Sequence, residues 1–320
     1  MSIRKDFIDY TSSFSGILPL DTLCVLTGQN FILPFYHIVS DEPCAHVENL
    51  YRFKSVREFE KDLDYLTRHY EPIGADTLPD VLAGRYKGKK IMLLTFDDGL
   101  RQMYDIVAPI LLRRGIPAVF FLNTDFIDNR GLMFRYKASL IKNFDKDSPA
   151  TFLSRSDTEL RHDVSVSYAV EIDHIVETFL KDYRPYLSSE QIKSLIGQGF
   201  TIGAHSCSHP YYEDISLDEQ LKETTDCLEI LRSNFGVKEK LFAFPFTDHG
   251  VSKAFFDRIF DSGAVEYSFG GAGIKNDIDP RQRQRTPMEG WDASAEQILK
   301  SEYLYYMLRA PLGKNRIKRN

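Results

Sequence analysis

The sequence is poor in cysteine, contains one tryptophan and has no long apolar run. Its 320 residues include four cysteines, which are spaced too widely to indicate a disulfide framework or a zinc knuckle. No run of about 18 uncharged apolar residues occurs, so we expect no integral membrane segment. Residues 1–9 also lack the apolar core of a signal peptide, and the cytoplasm is therefore the expected compartment.

Basic residues are fewer than acidic ones. Forty Lys and Arg stand against 46 Asp and Glu, which gives a net charge of −6. Nucleic-acid binding requires a basic stripe that faces phosphates. Only residues 312–320 are basic as a group, so nucleic acid is not an expected partner. That end of the chain is open to two interpretations, contact with an anionic membrane surface and a solvated tail.

Apolar runs alternate with amphipathic segments, an order typical of strand and helix units around a parallel sheet. Capping-box patterns at Ser55 and Ser216 predict helices to about His69 and Ser233, and a further helix is predicted over 104–114. The predicted strands are 31–36, 90–95, 118–122, 200–204, 241–244 and 264–269. The glycine-rich run 270–273 lacks the spacing of a dinucleotide-binding loop and is interpreted as a flexible loop.

Two short motifs follow predicted strands and carry candidate chemistry. Thr95-Phe96-Asp97-Asp98-Gly99 brings two adjacent carboxylates to the end of a buried strand, and His205-Ser206-Cys207-Ser208-His209 brings two imidazoles to the end of another. In α/β folds, functional residues cluster at the carboxyl ends of strands. Each motif alone has a plainer interpretation, because Asp-Asp-Gly is common in turns and paired histidines occur without a metal. Their shared position favours one site.

Two histidines and one carboxylate form a ligand set that leaves positions open for water and a substrate oxygen, as in catalytic zinc sites. Asp98, His205 and His209 are the candidate ligands. Asp97 is then free to act as a general base.

Both motifs resemble those of the polysaccharide deacetylases of the NodB-homology type. Thr95 to Gly99 matches the first motif of that family, and His205 to His209 matches the second. A third similarity is Phe242-Ala243-Phe244-Pro245-Phe246, which resembles the motif along one wall of the groove. The resemblance extends over about 31–267. It implies an α/β fold, a distorted and incomplete (β/α) barrel of seven or eight strands with a helical insertion.

The resemblance also implies roles for individual residues. Asp98, His205 and His209 would bind a divalent metal, usually Zn²⁺, and Asp97 would be the base. Pro245 and Phe246 would line the substrate groove, and the backbone amide near Phe246 would help to hold the oxyanion. The implied reaction removes an N-acetyl group from an amino sugar, with the metal lowering the pKa of its water.

One departure from the family concerns the base. Many members carry an arginine at the position of Ala243, and that arginine orients the base. Arg285, in the run Arg281-Gln282-Arg283-Gln284-Arg285, is our candidate replacement. The alternative interpretation of this run is a solvated basic loop.

A second departure concerns the general acid. The family commonly ends with a Leu-x-His triplet whose histidine protonates the leaving amine, and no such triplet occurs after residue 209. His249 follows the third motif and is one candidate, although its Asp and Gly neighbours are also typical of a surface turn. His37 follows the first predicted strand and is the other candidate for a site residue.

We predict three regions. Residues 1–30 form an N-terminal extension, 31–290 form the barrel with a helical insertion at about 124–188, and 291–320 form a C-terminal helix and basic tail. The insertion contains helix-compatible stretches at 157–168 and 170–180. It either borders the substrate cleft or is a peripheral elaboration. Trp291 is the aromatic candidate for contact with a sugar ring.

The sequence therefore predicts a metal-dependent hydrolase that deacetylates an N-acetylglucosamine-type polysaccharide, oligosaccharide or lipid- or nucleotide-linked glycan. A hydrolase of another acyl group or of a cyclic ureide is the first alternative. The second is a catalytically impaired carbohydrate-binding relative, which Ala243 and the missing late histidine suggest. A carbohydrate is the expected partner, and the oligomeric state is left open.

Overall fold

The computed structural model describes residues 3–12, 18–145, 152–154, 156, 159–161, 164 and 169–319. Within these residues the strands are β1 Phe31–Ile32, β2 Pro34–Tyr36, β3 Glu71–Pro72, β4 Ile91–Met92, β5 Leu94–Phe96, β6 Ala118–Leu122, β7 Thr201–Ala204, β8 Leu241–Ala243, β9 Tyr267–Gly270, β10 Gln282–Gln284 and β11 Thr286–Pro287. The α-helices are α1 Ile3–Thr11, α2 Leu20–Thr27, α3 Val56–His69, α4 Leu78–Leu82, α5 Ala108–Arg114, α6 Phe134–Phe144, α7 Ala169–Asp182, α8 Ser189–Gly197, α9 Leu217–Phe235, α10 Lys253–Asp261 and α11 Ala295–Arg309.

The larger sheet of the described chain is parallel and nearly closed into a barrel. Its strand order is β10-β9-β8-β7-β6-β5-β2-β11, and every neighbouring pair is parallel. The outer strands β10 and β11 lie at opposite edges but are separated in sequence by Arg285 alone. The segment 282–287 therefore connects the two edges, and the barrel is nearly closed. The predicted fold class, a distorted and incomplete (β/α) barrel of seven or eight strands, is confirmed.

A smaller sheet forms the irregular part of the barrel. Its order is β1-β4-β3, and it continues the strands of the larger sheet, because only Leu33 separates β1 from β2 and only Leu93 separates β4 from β5. The β3 strand pairs with β4 alone. The sequence did not predict β3, β10 or β11.

Alternate strand residues belong to two different apolar clusters, as the period of two in a β-strand requires. Phe120 and Phe242 pack in the larger cluster, which contains residues of the surrounding helices. Their neighbours Phe121 and Ala243 pack in a second cluster with strand residues from around the sheet. The first cluster is therefore the layer between barrel and helices, and the second fills the barrel interior.

The predicted capping boxes at Ser55 and Ser216 are confirmed, and two more begin α8 and α11. The predicted helix over 104–114 begins instead as a π-helix, Met103–Val107, and continues as α5 up to Gly115. Helix α7 covers the predicted stretch 170–180, whereas most of 157–168 lies outside the described residues. In the described part of the chain, no helix has both the length and the apolar character needed to cross a membrane.

Candidate active site

The two carboxylates of the first motif lie directly beyond β5. Asp97 continues the strand, and its backbone N–H donates to the Tyr36 carbonyl at 3.0 Å. Asp98 and Gly99 then turn the chain with φ of 75° and 67°. A positive φ is uncommon for a residue other than glycine, and such strained residues cluster at functional sites. The turn directs both carboxylates toward the same end of the barrel.

The two histidines follow β7 on a strained turn in which Ser206 and His209 have φ of 67° and 59°. The Ser206 hydroxyl accepts a hydrogen bond from the His209 backbone N–H at 3.0 Å. A carboxylate from α9, that of Glu223, accepts the backbone N–H groups of Cys207 and Ser208 at 2.9 and 3.0 Å. The turn is therefore fixed by one hydrogen bond within it and by two hydrogen bonds to helix α9.

Asp98, His205 and His209 converge on one point. Each offers one ligand atom, and these atoms lie within 4.8 Å of one another. Asp98 Oδ1 is 3.4 Å from His205 Nε2 and 3.3 Å from His209 Nε2. All three side chains are buried. Burial alone would raise the pKa of Asp98, but the imidazoles beside it outweigh burial and hold that pKa well below its usual range.

The free atoms of this cluster fit a divalent ion. The Nδ1 of His205 lies 2.8 Å from the Ala243 carbonyl, which selects the tautomer that donates there and leaves Nε2 as a lone-pair donor. Within the described residues, His205 Nε2 and Asp98 Oδ1 are buried without any hydrogen-bond partner. Unsatisfied buried polar atoms are costly. A cation with nitrogen and oxygen ligands would satisfy both.

A guanidinium holds the second carboxylate. Arg285 donates from Nη1 to Asp97 Oδ1 at 2.6 Å and from Nη2 to Oδ2 at 2.7 Å. Its side chain is 1% exposed, so the solvated-loop interpretation of this residue is wrong. Burial raises the pKa of Asp97, but the Arg285 charge outweighs burial and lowers it. Asp97 is therefore an oriented carboxylate at neutral pH.

Tyr136 from α6 holds the outer oxygen of Asp98. Its hydroxyl donates to Asp98 Oδ2 at 2.6 Å. This bond leaves Oδ1 as the oxygen that faces the two histidines. Tyr136 lies in the segment predicted as an insertion, as do Met133, Arg135 and Leu153, which also line the cleft. The peripheral interpretation of the insertion is therefore wrong for these residues.

His37 lies in the same cleft, which has a volume of about 380 Å³ and is also lined by Asp98, His209 and Phe246. A buried carboxylate, that of Glu289, accepts hydrogen bonds from both the backbone N–H and Nδ1 of His37. Burial would lower the pKa of His37, but Glu289 outweighs it and raises the pKa to about 9. His37 is therefore a cation at neutral pH.

Phe246 forms one wall of the cleft. It has a φ of 54°, its ring stacks on Tyr211 with centroids 4.0 Å apart, and it meets the His209 ring edge-on at 4.4 Å. Phe246 remains 37% exposed. Pro245 is buried directly before it.

Two candidates from the sequence lie elsewhere. The side chain of His249 is 80% exposed beside Glu213, and His249 lines a different depression from the one that holds Asp98. Its Asp and Gly neighbours favour this surface turn. Trp291 is buried in the layer between barrel and helices, because its large apolar ring gains more from that packing than from water. The structure does not bring either residue to the cluster.

Sequence reasoning missed four residues that hold this site. Asn123 follows β6 and donates through Nδ2 to the backbone carbonyls of His205 and Ser206, and the strand-end rule could have identified it. Glu289, Tyr136 and Glu223 belong to no motif. Their contacts join positions far apart in the chain, which a single sequence does not reveal.

A family model described as polysaccharide deacetylase matches residues 84–255, more than half of the chain. No curated protein sequence matches.

Solved structures show the same fold. The deacetylase PplD of Streptococcus pyogenes has a TM-score of 0.56 at 15% identity, with 85% of this chain and 97% of that chain covered. IcaB of Ammonifex degensii has a TM-score of 0.57 at 19% identity, with 86% and 98% covered. A de-N-acetylase of Aggregatibacter actinomycetemcomitans has a TM-score of 0.52 at 16% identity, with 83% and 95% covered. On the family match, which includes the Asp-Asp and His-x-x-x-His motifs of the buried cluster, this chain belongs to the polysaccharide deacetylase family.

Proposed function

We propose that this protein is a metal-dependent hydrolase that removes the N-acetyl group of an amino sugar. The observation that carries the proposal is the convergence of Asp98, His205 and His209, whose ligand atoms lie within 4.8 Å of one another, beside an Asp97 that Arg285 orients. Two imidazoles and a carboxylate are ligands that suit zinc, and we propose Zn²⁺ as the ion.

Each residue has a proposed role in the reaction. An ion held by the three ligands supplies Lewis-acid chemistry, because it lowers the pKa of a bound water and polarises a carbonyl oxygen. Asp97 accepts the proton that the attacking water loses. Within the described chain the Phe246 backbone N–H has no hydrogen-bond acceptor, so it is available to the developing oxyanion.

His37 is the proposed general acid. Its pKa of about 9 keeps it protonated at neutral pH, and it lines the same cleft as Asp98 and His209. As the C–N bond breaks, the imidazolium donates its proton to the leaving nitrogen. Acetate and a free amine are the products. In this proposal His37 takes the place of the late histidine that the chain lacks.

The substrate is proposed to be an N-acetylglucosamine-type polysaccharide, oligosaccharide or lipid- or nucleotide-linked glycan. The family membership supports this class. A binding protein without turnover is less well supported, because Arg285 supplies the guanidinium that Ala243 does not.

Acetate release from N-acetylglucosamine oligosaccharides by the zinc-loaded protein tests the proposal. We expect Asp97→Asn to lose at least about 100-fold in kcat, since a general base contributes 10²–10⁴-fold, while the variant still binds zinc. Asp64→Asn is the matched control, because Asp64 lies on the exposed face of α3, and it should retain wild-type activity. Zinc binding without acetate release from any N-acetylated sugar would contradict the proposal, as would equal activity of Asp97→Asn and wild type.

A further inference from the structure

A second depression lies beside the cleft, and seven of the residues that line it are Lys or Arg. Its volume is about 920 Å³, and it lies among α1, the loop after β9, the end of α11 and the C-terminal segment. We call it the basic depression and define it by its cationic residues, which are Arg4, Lys275, Arg309, Lys314, Arg316, Lys318 and Arg319. Such a concentration is notable in a chain of net charge −6.

Two of these cations are paired and shape the walls. Arg4 donates through Nε to Glu302 at 2.5 Å and through Nη1 to the Gly271 carbonyl at 2.8 Å. Arg319 is buried against Asp248 and Asp277. The carboxylates of Glu302 and Asp248 are therefore already engaged.

The other five cations have no such partner. The described residues place no carboxylate within ion-pair distance of Lys275, Arg309, Lys314, Arg316 or Lys318. Lys275 and Arg309 instead lie over the same aromatic ring, that of Tyr305, at 6.0 and 5.1 Å from its centroid. Two buried donors, Arg309 Nε and Arg4 Nη2, have no acceptor among the described residues.

This arrangement places the five cations without a carboxylate partner near three carboxylates, those of Glu302, Asp248 and Asp277, which Arg4 and Arg319 already engage. Lys275 and Arg309 are half-buried, so water screens them less than it screens charges at the surface. Burial lowers the pKa of Lys275 and the nearby charges of Arg4 and Arg309 lower it further, while the carboxylates of Glu302 and Asp248 offset only part of this effect. An anion that entered the depression would relieve this repulsion.

The basic depression and the cleft share one lining residue, Phe246. A ligand whose acetamide reaches Asp98 and His209 would pass over the exposed Phe246 ring, and its next groups would enter the basic depression. The two cavities therefore fit two parts of one molecule.

We propose that the basic depression binds a phosphate group of the glycan substrate, so that the enzyme deacetylates a phosphate-bearing amino sugar rather than a neutral one. The inference rests on the proposed function for the reaction and deepens it by naming the substrate class. Phosphate fits because it presents several anionic oxygens to arginine forks and lysine ammonium groups together.

The test compares two tetrasaccharides of N-acetylglucosamine, one neutral and one with a terminal phosphate, as substrates of the zinc-loaded protein. We expect the phosphorylated substrate to have a KM at least about fivefold lower. The double variant Lys275→Gln with Arg309→Gln should lose this advantage. The charge-conserving pair Lys275→Arg with Arg309→Lys should keep it, which separates loss of charge from misfolding. Lys193→Gln is the matched control on the exposed face of α8.

A titration with inorganic phosphate tests the depression without turnover. Without metal, to which phosphate would also bind, wild type and His209→Ala should bind phosphate alike, because the proposed site is separate from the metal ligands, and the Gln double variant should bind at least about fivefold more weakly. If no N-acetylated sugar is deacetylated, the proposed function fails, and this titration still decides whether the depression binds phosphate.

Three results would overturn the inference. The first is an equal KM for both tetrasaccharides, and the second is an advantage that survives in the Gln double variant. The third is binding to phosphatidylglycerol vesicles that depends on Lys275 and Arg309 without any binding of inorganic phosphate, because that result would assign the charges to a membrane surface.

Discussion

Arg285 is a buried cation whose two terminal nitrogens both reach one carboxylate. The same guanidinium lies over the Phe35 ring at 4.4 Å and donates to the Thr95 hydroxyl at 3.1 Å. Removing one partner of such a pair leaves an uncompensated charge in the interior. Arg285 therefore affects both stability and the orientation of Asp97.

We predict that Arg285→Met lowers the free energy of unfolding by about 3 kcal/mol, since it strands the buried Asp97 carboxylate. It should also lower kcat. Arg285→Lys should recover part of the stability but less of the activity, because an ammonium group cannot make the bidentate contact. Urea unfolding and acetate release measure the two effects. Wild-type stability and activity in Arg285→Met would rule out this role.

The hydroxyl of Tyr136 controls which oxygen of Asp98 is free. We predict that Tyr136→Phe weakens zinc binding by about 10- to 100-fold, as for other groups that orient a metal ligand. Competition with a chromogenic chelator measures this affinity. Tyr104→Phe is the matched control, since its hydroxyl contacts Ser194 outside the cleft. Equal zinc affinity in Tyr136→Phe and wild type would show that the hydroxyl does not orient the ligand.

At the scale of elements, strand ends bring the site together. His37, Asp97 and His205 each follow a strand of the parallel sheet at its carboxyl end. These three residues come two positions after Phe35, Thr95 and Gly203. Because side chains alternate between the two faces of a strand, they are directed away from the helix layer, as those residues are. Parallel pairing sets these ends side by side.

Gly203 lets β7 lie close to its neighbours. A Cβ at this position would overlap the Phe121 ring and come within 3.3 Å of Leu241 Cβ. We predict that Gly203→Ala costs about 1–3 kcal/mol of stability through overpacking and displaces the adjacent His205. Gly197→Ala is the control, because its Cβ would meet nothing within 4 Å. Urea unfolding of wild type and both variants tests this. A Gly203→Ala variant as stable as wild type would mean that β7 tolerates the methyl group.

The capping box of α3 predicts a pH dependence. Partial burial would raise the pKa of Glu58, but hydrogen bonds from Arg52 and Ser55 outweigh it and lower the pKa to about 2. Because the folded-state pKa is lowered, the contribution of Glu58 to stability is full above the ordinary value of 4.5 and is lost as the pH falls through about 2. Glu58→Gln should therefore destabilise the protein at pH 7 and matter little near pH 2. Thermal unfolding at both pH values tests the direction of this pH dependence. A destabilisation by Glu58→Gln that is larger near pH 2 than at pH 7 would contradict the prediction.

At the scale of the whole molecule, a metal would join the end of β5 to the turn after β7. We predict that zinc at 100 times its Kd stabilises the fold by about 2.7 kcal/mol, which raises Tm by about 4 °C for a chain of this length. A chelator should reverse the shift. His209→Ala should show no zinc-dependent shift, whereas His69→Ala should respond like wild type. A shift that persists in His209→Ala would place the ion elsewhere.

The division of the chain into 1–30, 31–290 and 291–320 stays a proposal that rests on the sequence pattern.

Much of this molecule could be predicted because the information is local. Asp97, Asp98, His205 and His209 stand in short motifs after apolar runs, and Ser55 and Ser216 begin helices through contacts within one turn. The strands β10 and β11 could not be predicted, because β10 is polar and β11 is two residues long and pairs with β2 near the other end of the chain. The roles of Glu289 and Tyr136 could not be predicted either, because both depend on contacts between distant positions of the chain.

The sequence by itself determined the alternation of most strands with helices, the two motifs and the chemistry that their side chains allow. Only the tertiary structure decided which guanidinium holds Asp97, which tyrosine holds Asp98 and which histidine lies in the cleft. The physical reason is that these contacts depend on barrel closure, which brings residues almost 200 positions apart, such as Asp97 and Arg285, within hydrogen-bonding distance. No periodicity or motif within a single segment encodes a contact of that range.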